Sequence, residues 1–404
     1  MIRERRARRL AKAALTATAA VDAVGVAYLL ALLAAAALPS RRRGMVAGRD
    51  LRIAVLIPAR DEEHQIRTAL ASLEAQEYPR DRFMVAVIAD NCSDRTAKVA
   101  REWGAAVYER SDTAHQGKGH ALVWGIDRIR AERPDVEAIA VLDADCEASP
   151  NFLEVMSRHI ADGAAGAQAQ VRIGNPDNAW SAGLQAASFT LITEIRGRGR
   201  TRLGLRSALH GTGMTFTTAL LDREPWDAFS PVEDAEYGAR LVAADERFDY
   251  ADEAFVATRA ATALGATREQ QRRWESGRRA LAVRWLPRHL AAGVLRGDGR
   301  RLAAALELVV PPQSRLLVTS LLSVIAGRAL ALRSVQRLAA FNLAGQATYV
   351  LGGLLVAGAP PSVFAALLRA PVLAAWKLPL HFRAVLGRAP AGWTRGPRET
   401  IQNQ

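Results

Sequence analysis

Two aspartates one residue apart, Asp143 and Asp145, directly follow the apolar run Ala138-Ile139-Ala140-Val141-Leu142. Carboxylates so placed, at the exposed end of a buried strand, offer oxygen ligands to a hard divalent cation, which shares its coordination with phosphate oxygens. Three further polar groups occupy comparable places. Pro58-Ala59-Arg60-Asp61-Glu62-Glu63 follows the apolar run 51–57, Asp90-Asn91-Cys92-Ser93-Asp94 follows 83–89, and Val232-Glu233-Asp234 precedes a helical pattern. Any one of them is compatible with ordinary loop polarity, and Asp61, Ser93 and Asp94 suit helix N-caps. Basic and small residues complete the inventory: Gly117-Lys118-Gly119, His210-Gly211-Thr212-Gly213 and Gln270-Gln271-Arg272-Arg273-Trp274.

The elements that must position these groups alternate. Residues 51–57 read as a strand ended by Pro58, and 62–73 as a helix with Ile66, Leu70 and Leu73 on one face. Residues 83–89 are the next strand, 95–103 a helix, 117–130 a helix and 138–142 a third core strand. That β-α-β-α order predicts an α/β fold with a mostly parallel sheet covered by helices. Such sheets bind ligands beyond the carboxyl ends of their strands, where the polar groups fall.

The flanks are different in kind. Residues 13–38 are almost entirely apolar, with Asp22 the one charge, and long enough at 1.5 Å per residue to cross a hydrocarbon layer of about 30 Å. Leu38-Pro39-Ser40-Arg41 is a poor cleavage site, so a retained anchor is expected over a signal peptide. Residues 272–308 are basic and amphipathic, as suits a membrane surface. The apolar segments 316–332, 338–358 and 362–380 follow. The expected division is a basic segment and anchor at 1–50, a catalytic domain at 51–275, interfacial helices at 276–312, and membrane helices with a basic tail at 313–404.

The 404 residues carry a formal charge of +13, a balance that points to an anionic surface, phosphorylated substrates or nucleic acid. No zinc-finger spacing, RNA-binding aromatic motif or basic zipper accompanies it, so no nucleic-acid partner is expected. Arginines cluster at 196–206 and 268–301. They are expected to meet membrane lipids or the phosphates of a lipid-linked acceptor. The two cysteines, Cys92 and Cys146, form no disulfide framework and fit a reducing compartment.

Taken in order, PARDEE, DNCSD, DAD, VED and QQRRW resemble the motifs of the family 2 glycosyltransferases. The last fits the QxxRW pattern of the membrane-bound synthase branch, and the resemblance covers residues 51–274. It implies a GT-A nucleotide-sugar-binding domain and a nucleotide-sugar donor, uridine-based in most relatives. It also implies roles. Pro58, Glu62 and Asp90 would line the nucleoside site, Lys118 would approach base or diphosphate, and Asp143 would bind ribose or donor sugar. Asp145 would hold Mg2+ or Mn2+. Asp234, beside Glu233, would be the catalytic base. Gln270, Arg273 and Trp274 would close over the diphosphate, and His210, Gly211 and Thr212 would form the acceptor loop.

The chemistry agrees with those roles. A departing diphosphate gathers negative charge that a divalent cation, Lys118 and Arg273 would stabilise. One base carboxylate suffices for a single in-line displacement, so inversion is expected. The acceptor would be a lipid-linked or membrane-proximal glycan, met on the cytosolic side of the inner or plasma membrane. A processive polysaccharide synthase would share every donor motif but needs a channel. A nucleotidyltransferase would release pyrophosphate in place of a nucleoside diphosphate. A dinucleotide-binding dehydrogenase does not fit, because Gly117-Lys118-Gly119-His120-Ala121-Leu122 lacks the third glycine.

Overall fold

The computed structural model of the protein describes residues 2–39, 50–260 and 264–371, and the side chains of 9–39, 50–260, 274 and 276–371. A long helix α1 (Ile2–Ala37) comes first. Then β1 (Ile53–Ala59), α2 (Ile66–Glu74), β2 (Phe83–Asp90), α3 (Thr96–Glu102), β3 (Ala106–Arg110), α4 (Lys118–Glu132) and β4 (Ala138–Val141) alternate. The chain continues through β5 (Glu147–Ala148), α5 (Phe152–Ala161), β6 (Gly166–Ile173) and α6 (Trp180–Phe189). A π-helical turn, Thr190–Ile195, joins α6 to α7 (Arg196–Arg202), before β7 (Met214–Thr217), α8 (Thr218–Arg223), α9 (Glu233–Ala243) and β8 (Phe248–Thr258).

The eight strands among the described residues form one sheet in the order β3-β2-β1-β4-β7-β6-β8-β5. β3, β2, β1 and β4 run parallel, as do β6 and β8, while β7 and β5 pair antiparallel with their neighbours. The mostly parallel sheet read from the sequence is therefore present. Its strands are apolar on both faces because helices cover both. Val55 and Ile57 pack with Leu70, Phe152 and Met156 on one side. Leu56 and Ile88 pack with Ile126, Phe216 and Tyr237 on the other.

Three details differ from the sequence reading. β1 does not stop at Pro58 but runs through it. Its ladder to β4 ends at Leu56, while pairing with β2 continues to Ala59, so the missing N–H breaks no bond on the β4 side. α2 starts at Ile66 and not at residue 62; the amides of Glu62 and Glu63 donate instead to Thr96 Oγ1 (2.7 Å) and Asp94 Oδ2 (3.1 Å). The short edge strand β3 was not foreseen.

The carboxyl-terminal part is helical: α10 (Leu264–Arg296), α11 (Gly299–Val309), α12 (Gln313–Ala329), α13 (Arg333–Val356) and α14 (Pro361–Leu367). Among the described residues, two helices, Arg9–Ala37 and Arg333–Val356, are long and apolar enough to cross a membrane, and α11 with α12, bent by 72°, meets the same test as a pair. Residues 372–380 of the last apolar segment lie outside the described residues. Polar contacts tie these helices together: Thr319 Oγ1 donates to Asp22 Oδ2 (2.7 Å), and Asn342 Nδ2 to the Ala19 carbonyl (3.1 Å). Val283, Leu290, Val294 and Leu295 remain exposed along α10.

The arginines of 196–206 do not form the lipid-facing or acceptor-facing patch expected of them. Arg196 and Arg200 are buried around Glu307 of α11, at 2.6 and 3.5 Å. Arg198 pairs with Glu194 at 2.9 Å. Arg202 donates to the carbonyls of Ala35 and Ala36 at the end of α1, where a cation suits the helix dipole.

Candidate active site

The loops after β1 and β2 are bound to each other. Asp61 Oδ1 accepts from Ser93 N (2.6 Å) and Oγ (3.0 Å), so Asp61 is not a helix cap, and its φ of 51° marks a tight reversal. Asp94 Oδ1 accepts from Thr96 N at 2.9 Å, at the start of α3. Asp90 is buried at the end of β2, and its Oδ1 accepts from Arg110 Nη1 (2.6 Å) and Asn91 Nδ2 (2.9 Å). Pro58, Glu62 and Asp90 thus stand at the carboxyl rim of adjacent strands, but the Asp90 carboxylate is already engaged by Arg110, which the sequence reading had not singled out.

Asp143 and Asp145 follow β4 on the same rim. With Cys146 they offer ligand atoms that all lie within 4.8 Å of one another. The Asp145 carboxyl is raised above its ordinary value, first by displaced water and then by the Asp143 charge, a repulsion that a cation would relieve. Burial pushes the Cys146 thiol well up. It stays protonated, so the donor set is effectively the two carboxylates, which fits a hard divalent ion. Asp61, Cys92 and Asp94 also converge, but the Asp61 and Asp94 oxygens already hold backbone amides.

Several residues expected at the reaction centre come together around Lys118, at the first turn of α4. Its ammonium donates to Asp143 Oδ1 and to the Gly211 carbonyl, the latter at 2.7 Å. Burial opposes its charge, but Asp143, Glu233 and Asp234 outweigh that and hold it protonated. Asp234, in the first turn of α9, has its carboxyl raised to about 7, by burial first and the Glu233 charge second.

The loop 210–213 is pinned from below. The Asp143 amide donates to Thr212 Oγ1 (3.0 Å). Gln168, fully buried on β6, donates to the Thr212 carbonyl (2.8 Å) and accepts from the His210 amide (2.9 Å). Sequence reasoning missed Gln168, although a glutamine at an inward position of an apolar strand was a usable signal. Burial pulls the His210 imidazole down to about 4, so it is neutral at neutral pH.

The QxxRW segment lies on α10. The side chains of Gln270 and Arg273 lie outside the described residues. Trp274 is 39% exposed, with its ring 6.4 Å from that of Phe189. A Cβ on Gly277 would stand 2.8 Å from Val232, and Arg284 pairs with Glu236 at 2.6 Å. This helix therefore packs on the segment that carries Glu233 and Asp234.

Comparison with known proteins agrees with this geometry. The family model described as Glycosyltransferase like family 2 matches residues 51–277, more than half of the chain. The chain is 23% identical over 237 residues to a probable glucomannan 4-beta-mannosyltransferase 14 of Arabidopsis thaliana, covering 56% of this chain and 44% of that one. It is 30% identical over 197 residues to a beta-monoglucosyldiacylglycerol synthase of Trichormus variabilis, covering 47% and 41%. It thus spans less than half the length of these curated relatives. Among solved structures, the mannosyltransferase PcManGT of Pyrobaculum calidifontis superimposes with a TM-score of 0.50 at 18% identity, over 92% of this chain and 94% of that one. The sheet is of the GT-A type, and the protein belongs to glycosyltransferase family 2.

Proposed function

We propose that the protein moves a sugar, with inversion, from a nucleoside-diphosphate sugar to a hydroxyl of a lipid-linked or membrane-proximal glycan, at a cytosolic site on the membrane. The donor is a uridine diphosphate sugar on the family resemblance. The observation that carries the reading is the convergence of Lys118, Asp143, Gly211 and Asp234. A carboxyl held near 7 is matched to taking a proton from an alcohol at neutral pH. Lys118 keeps its charge for the departing diphosphate. His210, Gly211 and Thr212 present the acceptor. Glu62 and Asp90, beside Pro58, bound the nucleoside, and Gln270, Arg273 and Trp274 close the site.

Asp143 and Asp145 would hold Mg2+ or Mn2+, which when bound supplies positive charge to the diphosphate oxygens. The P. calidifontis mannosyltransferase is described with GDP-Man and Mn2+, which supports a divalent ion and makes a guanosine donor worth including in the test. Two helices with the length and composition of spans, and the lipid-glycosylating T. variabilis relative, support an acceptor at the membrane.

The test incubates membranes containing the protein with uridine, guanosine and thymidine diphosphate sugars and measures released nucleoside diphosphate. Release with product of one added sugar supports the reading. Release of pyrophosphate would assign a nucleotidyltransferase, and long products a processive synthase.

A further inference from the structure

An open cavity of about 580 Å³ lies against α4, the end of β3 and the segment leading to α9. Its wall includes His120, Trp124 and Phe229. His120 and Trp124 are one helical turn apart and share a side of α4. The imidazole of His120 stacks on the Phe229 ring, with centroids 4.3 Å apart and planes 14° from parallel. Phe229 is nevertheless 48% exposed.

The polar part of the wall carries three carboxylates, those of Glu109, Asp112 and Asp127. Asp112 is paired with Arg110 and His115, and Glu109 with Arg101. The arginine in the lining, Arg110, already serves Asp90 (2.6 Å), Asp112 (2.8 Å) and the His115 carbonyl (2.9 Å). Burial lowers the His120 imidazole, which leaves it neutral at neutral pH. None of the residues expected at the donor site lines the cavity. Aromatic rings beside carboxylates suit a pyranose. The ring face of the sugar presents C–H groups to the electron-rich aromatic surface, and its hydroxyls donate to carboxylates.

The cavity and the candidate site share two chain segments. A Cβ on Gly119 would stand 2.2 Å from the Ala228 carbonyl oxygen, so α4 and segment 228–229 meet backbone to side. These two segments carry Lys118 at one end and run on to Asp234 at the other.

We infer that this cavity is a pyranose-binding subsite that receives a sugar unit of the acceptor glycan away from the reacting hydroxyl. The assignment to the acceptor rests on the transfer reading above; the binding of a pyranose does not.

The experiment separates the two. Full-length protein in nanodiscs is probed by saturation-transfer NMR with methyl β-glucopyranoside, methyl α-mannopyranoside and methyl N-acetyl-β-glucosaminide. Transfer to ring C–H protons of at least one glycoside is expected. Trp124→Ala and Phe229→Ala should each weaken that binding at least about threefold, and Asp145→Asn, at the metal-ligand position, should leave it unchanged. If Trp124→Ala fails to fold by circular dichroism, Phe229→Ala alone carries the test, since its ring is half exposed. No transfer from any glycoside, undiminished binding in the folded variants, or displacement by choline as a competing cation would each overturn the subsite. Binding that behaves as expected in a protein that releases no nucleoside diphosphate would uphold the subsite and refute the transfer reading. Where transfer occurs, Phe229→Ala should raise KM for a lipid-linked glycan and leave KM for the donor within about twofold.

Discussion

Asp234 and Gly211 face each other across the candidate active site: a Cβ built on Gly211 would stand 3.5 Å from Asp234 Oδ2. That distance leaves room for a methyl group. The backbone does not, because Gly211 has φ +80°, a conformation that costs an L-residue about 1–2 kcal/mol. Gly211→Ala should therefore shift the loop whose carbonyl receives Lys118. Steady-state assays should show a fall in kcat of at least about tenfold, with a change of only a few degrees in Tm. Full activity in this variant would show that the loop carbonyl is dispensable.

Asp234→Asn retains size and the place at the start of α9 but cannot take a proton. The expected loss is about 10²–10⁴-fold in rate, with donor binding kept. With the wild-type carboxyl held near 7, the base is active only when ionised. Activity should rise with pH through about 7 and level off above it, and this limb should be absent from the residual activity of Asp234→Asn. Transfer within about threefold of wild type would leave Asp234 only its helix-dipole role.

Chelation should abolish transfer, and excess Mn2+ or Mg2+ should restore it. Asp145→Ala should lose activity under all metal conditions, whereas Cys146→Ser should keep most of it, because the buried thiol remains protonated. Undiminished turnover in excess chelator would remove the metal from the scheme.

His159 gives a handle on stability distant from the chemistry. Burial lowers its imidazole, but hydrogen bonds to Asp249 and Glu253 outweigh that and carry it from 6.5 to about 9. A raised folded-state value stabilises fully below about 6.5 and is lost as pH climbs through about 9. The two values imply up to about 3 kcal/mol. Thermal unfolding of the detergent-solubilised protein should show Tm falling between pH 7 and 9.5, with a weaker fall in His159→Gln. Equal slopes would show that the cluster does not couple to folding.

Much of the sheet was legible in advance, and the sequence singled out Lys118, Asp143, Gly211 and Asp234, which the fold brings together. β1, β2 and β4 are continuous apolar runs because both faces are covered, and each is followed at once by polar residues. β3 escaped notice since Ala-Val-Tyr-Glu-Arg is short, half-polar and at the sheet edge. Pro58 was misread as a terminator because the ending of the β4 ladder two residues earlier is a tertiary fact. The arginines of α7 read as a surface because their counter-ion, Glu307, is more than 100 residues away. Gln168 was passed over for a related reason, since its partners, His210 and Thr212, belong to a loop that only the fold places above it.

The burial of Arg196 and Arg200 against Glu307 bears on how the protein can be produced in pieces. A fragment ending at residue 277, where the family match ends, would keep both guanidinium groups and discard their carboxylate. It would also strip Tyr349, whose hydroxyl lies 3.4 Å from Arg196 Nε. Two cations left together in a cavity shaped for three charges would draw in water or swing outward, loosening α7 and the loop it leads into. The recombinant unit that preserves the loop after α7 therefore extends through α13, and a trimmed fragment would need Arg196 and Arg200 replaced by neutral residues of similar bulk before it could be expected to crystallise.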